Sequence, residues 1–155
     1  MTNSGGKERS ILALSSGGGH WFELLRLRPA FEGHNVRYVC TDDDYGSDVR
    51  PAPFHVVADG NRNQKIVLVL TAAQIVWLLI RHRPDVVVST GAAPGFLSIR
   101  LASLLRIRTV WVDSIANAGE LSMSGARVGP YADLWLTQVE DLARPDGPYF
   151  LGAVL

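Results

Sequence analysis

The residues best placed to do chemistry are Ser16, Gly17, Gly18, Gly19 and His20, which follow the apolar run Ile11-Leu12-Ala13-Leu14 and lead straight into Trp21-Phe22-Glu23-Leu24-Leu25. A strand that empties into a glycine turn and opens a helix presents unpaired backbone amides, with their partial positive charge, to whatever lies before it. The glycines keep Cβ atoms out of that approach. His20 brings an imidazole, suited either to taking a hydroxyl proton as general base or to anchoring a phosphate. Glu23, one turn on, either orients that imidazole or caps the positive end of the helix, and capping is the simpler role.

Two further loops share the pattern. Asp85-Val86-Val87-Val88-Ser89-Thr90 runs into Gly91-Ala92-Ala93-Pro94-Gly95 and then a helical Phe96-Leu97-Ser98-Ile99-Arg100-Leu101. Here Gly91 and Gly95 leave the backbone open to an anionic or sugar ligand, with Ser89 and Thr90 supplying hydroxyls. The third segment runs from Asp113 to Gly125; Asp113 and Glu120 flank it, and either is an alternative base. Ligands of open α/β sheets lie beyond the carboxyl ends of the strands, so the three loops, Glu120 to Gly125 included, are expected to meet at one crevice.

Other glycine-loop chemistries fit less well. A dinucleotide fingerprint wants a third glycine where Phe22 stands, and no Gly-Lys-Ser/Thr follows to make a phosphate-binding P-loop. Asp42-Asp43-Asp44, at the end of the second strand where a ribose ligand would sit, reads as a solvated turn. No His/Cys cluster suggests a metal, and no cofactor is expected.

These loops need a scaffold. Strand-like runs at Ser10–Leu14, Val36–Thr41, Phe54–Ala58, Val86–Ser89, Thr109–Asp113 and Leu134–Thr137 alternate with helical patterns at His20–Phe31, Gln64–His82, Pro94–Leu105 and Met123–Tyr131. That order predicts an α/β fold, a Rossmann-like parallel sheet with helices on both faces, over a single domain spanning 1–155 with 1–9 disordered. In the helix after His20, the spacing of Phe22, Leu25 and Phe31 predicts the sheet-facing side, with Trp21, Leu24 and Arg28 on another. Ile66 to Ile80 is apolar nearly all round yet shorter than a bilayer span, so its outer face is expected to meet a partner or a lipid surface.

Lys and Arg total 15, as do Asp and Glu, so no overall positive field draws nucleic acid. The lone Cys40 excludes an internal disulfide and suits a packed strand end. No signal peptide is evident in residues 1–9, which implies a cytoplasmic domain.

With both glycine loops and the block Leu121-Ser122-Met123-Ser124-Gly125 followed by Tyr131-Ala132-Asp133, the chain resembles the membrane-recruiting, acceptor-side subunits of two-component UDP-N-acetylglucosamine transferases that extend dolichol-linked oligosaccharides. Their bacterial exopolysaccharide counterparts are the closer likeness. The resemblance runs from Ile11 to Gly152 and implies the N-terminal half of a GT-B glycosyltransferase. It implies a lipid-linked saccharide acceptor on this chain, with Gly91 and Gly95 cradling its diphosphate or facing the donor half and Glu120 to Gly125 turned towards acceptor and partner, and a separate donor-binding subunit that brings the UDP-sugar. The family's first loop usually reads Gly-x-Gly-Gly-His, which sets Ser16 at the first glycine. Eukaryotic members carry a transmembrane anchor not seen in this sequence, so peripheral contact with the cytoplasmic face of a membrane is expected. A non-catalytic recruiting adaptor and a stand-alone nucleotide-binding domain are the alternatives.

Overall fold

The computed structural model describes residues 7–60, 63–116 and 119–154. Seven strands, β1 (Ser10–Leu14), β2 (Asn35–Cys40), β3 (Phe54–Val56), β4 (Val86–Ser89), β5 (Arg108–Val112), β6 (Leu134–Thr137) and β7 (Tyr149–Phe150), form one sheet in the order β3-β2-β1-β4-β5-β6-β7. Every pairing is parallel. The order reverses direction between β1 and β4, where parallel sheets of this type open a crevice at their carboxyl edge.

The strands are apolar on both sides because both sides are covered. In β1, Leu12 and Leu14 enter the cluster with Val39, Val87, Ile99 and Trp111 beneath α2 (Lys65–His82) and α3 (Ala92–Leu104). Ile11 and Ala13 enter the opposite cluster with Trp21, Leu24, Phe31 and Tyr38 beneath α1 (Gly19–Arg26). The α1 side reaches less far across the sheet. Val86, Val110 and Leu136 remain partly exposed there and line a groove of about 280 Å³ with Phe31 and Val112.

Three local expectations change. The first helix ends at Arg26 and continues as a 3-10 turn over Arg28–Phe31, with Pro29 at its start; proline supplies no amide to extend the α pattern. Its buried face is Trp21, Glu23 and Leu24, whereas Phe22 is exposed. Trp21 sits among Tyr38, Tyr45 and Phe54, with its indole N–H donating to Asp48 at 3.0 Å; an indole buries more apolar area than the phenyl ring beside it. The 42–53 connection carries a 3-10 stretch, Asp43–Val49, capped where the Asp44 amide donates to the Asp42 carboxylate at 3.0 Å. Residues 1–6 of the stretch expected to be disordered lie outside the described residues; Arg9 is tied by its amide to His34 and by its carbonyl to Asn35.

His55, on β3, and His82, at the end of α2, face each other with ring centroids 5.2 Å apart. Each has a buried Nε2 with no hydrogen-bond partner. Burial first, and then the Arg37 cation, hold both imidazoles below the ordinary histidine value. As pH falls below about 6.5 the unfolded chain therefore takes up protons before the folded one, and the stability present at neutral pH is lost. The urea midpoint should drop between about pH 7.5 and about pH 5.5, and a His55→Gln/His82→Gln variant should show a smaller drop.

Candidate functional site

The three loops are bound together by side chains of α1. His20 stands between the first loop and the second: its Nδ1 lies 3.1 Å from the Thr90 carbonyl, while the Thr90 hydroxyl donates to the His20 carbonyl at 2.6 Å. A carbonyl only accepts, so Nδ1 carries a proton, and the tautomer this contact selects has its lone pair on Nε2. The His20 side chain is 28% exposed. Gly91, with φ 145°, allows this contact, because a Cβ there would run into the imidazole.

Glu23 fastens the first loop to the third. Its Oε1 accepts from the Ser114 hydroxyl at 3.2 Å, the Ile115 amide at 3.0 Å and the Gln138 amide at 3.5 Å. Its Oε2 is buried without a hydrogen-bond partner, 3.9 Å from His20 Nδ1. Gln138 also donates to the Asp113 carbonyl and accepts from the Val154 amide, joining the end of the chain to the same cluster. Capping does not describe Glu23, since α1 has no side-chain cap and the carboxylate points into the cluster.

Asp113 is buried, and its carboxylate accepts from the Trp111 indole at 3.1 Å, the Ser122 amide at 2.8 Å and the Ser122 hydroxyl at 2.5 Å. The Gly125 amide in turn donates to Ser122 Oγ, and a Cβ at Gly125 would strike the Asp113 carboxylate. The specific Leu121-Ser122-Met123-Ser124-Gly125 block thus wraps an aspartate, with Ser124 half-buried ahead of α4 (Gly125–Val128) and Met123 and Glu120 exposed.

Ser89 and Thr90 are fully buried. The Gly91 amide donates to Ser89 Oγ at 3.3 Å, and a Cβ at Gly95 would strike that same hydroxyl. These two hydroxyls and Gly95 therefore shape the second loop from within and are not turned out towards a ligand. In the first loop two amides are already engaged: Gly17 donates to the Thr41 hydroxyl at 3.4 Å and Gly18 to the Tyr45 hydroxyl at 3.0 Å. The amides of Gly19 and His20 remain in the first helical turn, where no intrahelical acceptor exists.

A cavity of about 630 Å³ opens at this edge, lined by Ser16, Gly17 and Gly18, by Thr41, Asp42, Asp43 and Tyr45, by Asp59 and Gly60, and by Ala92, Ala93 and Pro94. His20 is not part of its lining. Tyr45 and Asp59 carry no sequence signal of their own, because they arrive from loops after β2 and β3. The Asp42-Asp43 pair forms one wall of the cavity. Among the described residues no group of three or more His, Cys, Asp or Glu is arranged to hold a metal ion.

A parallel sheet of this order, with glycine loops at its switch point, defines a Rossmann-like domain of GT-B type. It superposes on Acinetobacter baumannii MurG with a TM-score of 0.76 over 94% of this chain and 45% of that one, at 12% identity. No sequence-family profile matches the chain. It is 33% identical to the UDP-N-acetylglucosamine transferase subunit ALG14 of Yarrowia lipolytica over 86% of its length and 75% of the relative's. With the ALG14 subunit of Eremothecium gossypii the identity is 28% over 90% and 76%. The chain belongs to the ALG14 family.

Removing the Glu23 carboxylate should release the third loop. Glu23→Ala leaves the half-buried Ser114 and Ile115 donors without their acceptor and Gln138 with the Asp113 carbonyl alone; it should cost about 1–3 kcal/mol, with faster hydrogen exchange at the Ile115 amide. Glu23→Gln keeps an acceptor oxygen at the same place and should lose less than half of that.

Proposed function

We propose that this chain is the acceptor-binding half of a two-chain glycosyltransferase working at the cytoplasmic face of a membrane. It holds a lipid-linked saccharide of polyprenyl diphosphate type at the carboxyl edge of the sheet, while a separate subunit brings the UDP-sugar. The observation that carries this reading is the His20 geometry. Thr90 fixes the tautomer, and the proton-accepting nitrogen belongs to a residue anchored at the strand switch point. The two loops either side of it are locked in register, so the imidazole needs no rearrangement to act.

In the transfer, an acceptor hydroxyl attacks the anomeric carbon of the UDP-sugar held by the partner. The new C–O bond forms as the bond to the diphosphate breaks, UDP leaves with that bond's electrons, and the hydroxyl proton passes to His20 Nε2. The imidazolium so formed keeps its Nδ1–H on the Thr90 carbonyl, with the unpartnered Glu23 oxygen 3.9 Å away to balance its charge. Asp42, Asp43 and Asp59 supply acceptors for saccharide hydroxyls and disfavour a diphosphate in their part of the cavity. The acceptor diphosphate is better matched to the amides of Gly19 and His20 at the α1 N-terminus. Support for a second chain comes from the α1 side of the sheet, where Val86, Val110 and Leu136 are left partly uncovered.

One observation favours the adaptor reading: the cavity lining does not include His20. The two roles separate in kinetics of the chain reconstituted with its donor-binding partner. If His20 is the base, His20→Ala lowers kcat by roughly two to four orders of magnitude and leaves the acceptor KM nearly intact. A phosphate anchor raises KM with kcat almost unchanged. No change in either constant leaves catalysis wholly to the partner.

A further inference from the structure

Among the described residues that line the cavity at the carboxyl edge, Tyr45 alone is aromatic. Its ring centroid lies 5.5 Å from that of Trp21 and 6.3 Å from that of Phe22, whose ring stands at right angles to it. Cε2 comes so close to the first loop that a Cβ on Gly17 would lie 2.9 Å away. The loop carrying the ring is fastened on either side of it. Asp42 accepts from the Asp44 amide, while Asp48 takes the Trp21 indole N–H on its carboxylate and Arg28 on its carbonyl. A Cβ at Gly46 would come within 3.0 Å of Phe54, so the backbone next to Tyr45 also lies directly against that ring. The half-buried phenol is set in place before any ligand arrives, and little of its freedom remains to be lost on binding.

The chemistry around the ring is selective. An aromatic ring offers a broad apolar surface with a negative face, which suits the weakly positive C–H bonds on one face of a pyranose. The carboxylates of Asp42, Asp43 and Asp59 can only accept, which suits the hydroxyls on the sugar's rim. Tyr45 adds a donor to this set. Its Oη accepts from the Gly18 amide at 3.0 Å and so keeps its own proton for a sugar oxygen. A nucleotide base would also stack on an aromatic ring, but its phosphates would face three carboxylates in a lining that holds no Lys, Arg or His among the described residues. A uronic acid meets the same repulsion, whereas a neutral sugar does not.

We propose that Tyr45 is the specificity-determining residue of a subsite for one neutral pyranose, which lays its C–H face on the phenol ring and directs its hydroxyls to Asp42, Asp43 and Asp59. The far wall of the subsite is held as firmly as the ring. Thr71 donates to the Ala58 carbonyl at 2.8 Å, the Ala58 amide donates to Gln74 at 2.8 Å, and Gly60 packs on Leu68, so Asp59 projects from a segment fastened to α2. That the pyranose is the saccharide of a lipid-linked acceptor rests on the function proposed above. The subsite itself is defined by the ring, the carboxylates and the cavity they share.

The test is an NMR titration of the full chain with methyl β-glucopyranoside and with methyl β-glucuronide, which differ only at C6. The glucoside should shift the Tyr45 ring protons saturably, and at neutral pH the glucuronide should bind about tenfold more weakly or not at all. Tyr45→Ala should weaken the glucoside by about tenfold, whereas Tyr45→Phe, which keeps the ring and loses the oxygen on the Gly18 amide, should stay within about threefold of wild type. No glucoside binding, or equal binding of the glucuronide, overturns the proposal. So does a Tyr45→Phe loss as large as that of Tyr45→Ala, which would reduce Tyr45 to a prop for the glycine loop. In the chain reconstituted with its donor-binding partner, Tyr45→Ala should raise the acceptor KM and leave kcat nearly unchanged. Transfer with an unaltered acceptor KM would overturn the subsite and keep the functional reading; glucoside binding at Tyr45 without transfer to any lipid-linked saccharide would do the reverse.

Discussion

Glu23 is a carboxylate 5% exposed to solvent, and the arrangement at the carboxyl edge of the sheet depends on it. A buried charge must be matched by donors, and Glu23 finds them in Ser114, Ile115 and Gln138, all on loops that follow β5 or β6. One turn earlier on the same helix, His20 reaches the loop after β4. A helix of eight residues thereby fixes the relative positions of loops that come from β1, β4, β5 and β6. Because Oε1 takes the donors and Oε2 takes none, the half of the carboxylate nearer His20 stays available.

The glycines follow from the same constraint. Gly91, Gly95 and Gly125 each stand where a Cβ would strike a side chain essential to a loop: His20, Ser89 and Asp113 respectively. They are close-approach glycines, which let the backbone pack directly against those polar side chains. Gly18, at φ 70°, is the position at which the first loop needs the left-handed conformation to turn into α1.

The sheet was legible in the sequence because doubly buried parallel strands are written as apolar runs, and Val86-Val87-Val88 or Ile11-Leu12-Ala13-Leu14 admit no other placement between helical patterns. The switch-point loops were legible because glycines mark them. What escaped is nonlocal. Phe22 and Trp21 are adjacent aromatics, and only the ring cage of Tyr38, Tyr45 and Phe54 decides that Trp21 turns inward. Ser89 and Asp113 have the composition of site residues but serve as internal staples, a distinction that lies in partners far along the chain. Tyr45, Asp59 and Gln138 carry no pattern at all, and their roles follow from strand order.

On the function proposed above, the carboxyl edge of this α/β unit would receive an acceptor and leave the donor to another chain. The most direct measurement is an NMR titration of the isolated chain with a short-chain, water-soluble polyprenyl diphosphate saccharide, and separately with UDP-N-acetylglucosamine. The proposed function predicts saturable shifts confined to Ser16–His20, Thr41–Tyr45, Asp59–Gly60 and Gly91–Pro94 with the acceptor, and none of comparable size with the nucleotide sugar. Saturable binding of UDP-N-acetylglucosamine at those same residues, displacing the acceptor, would contradict it.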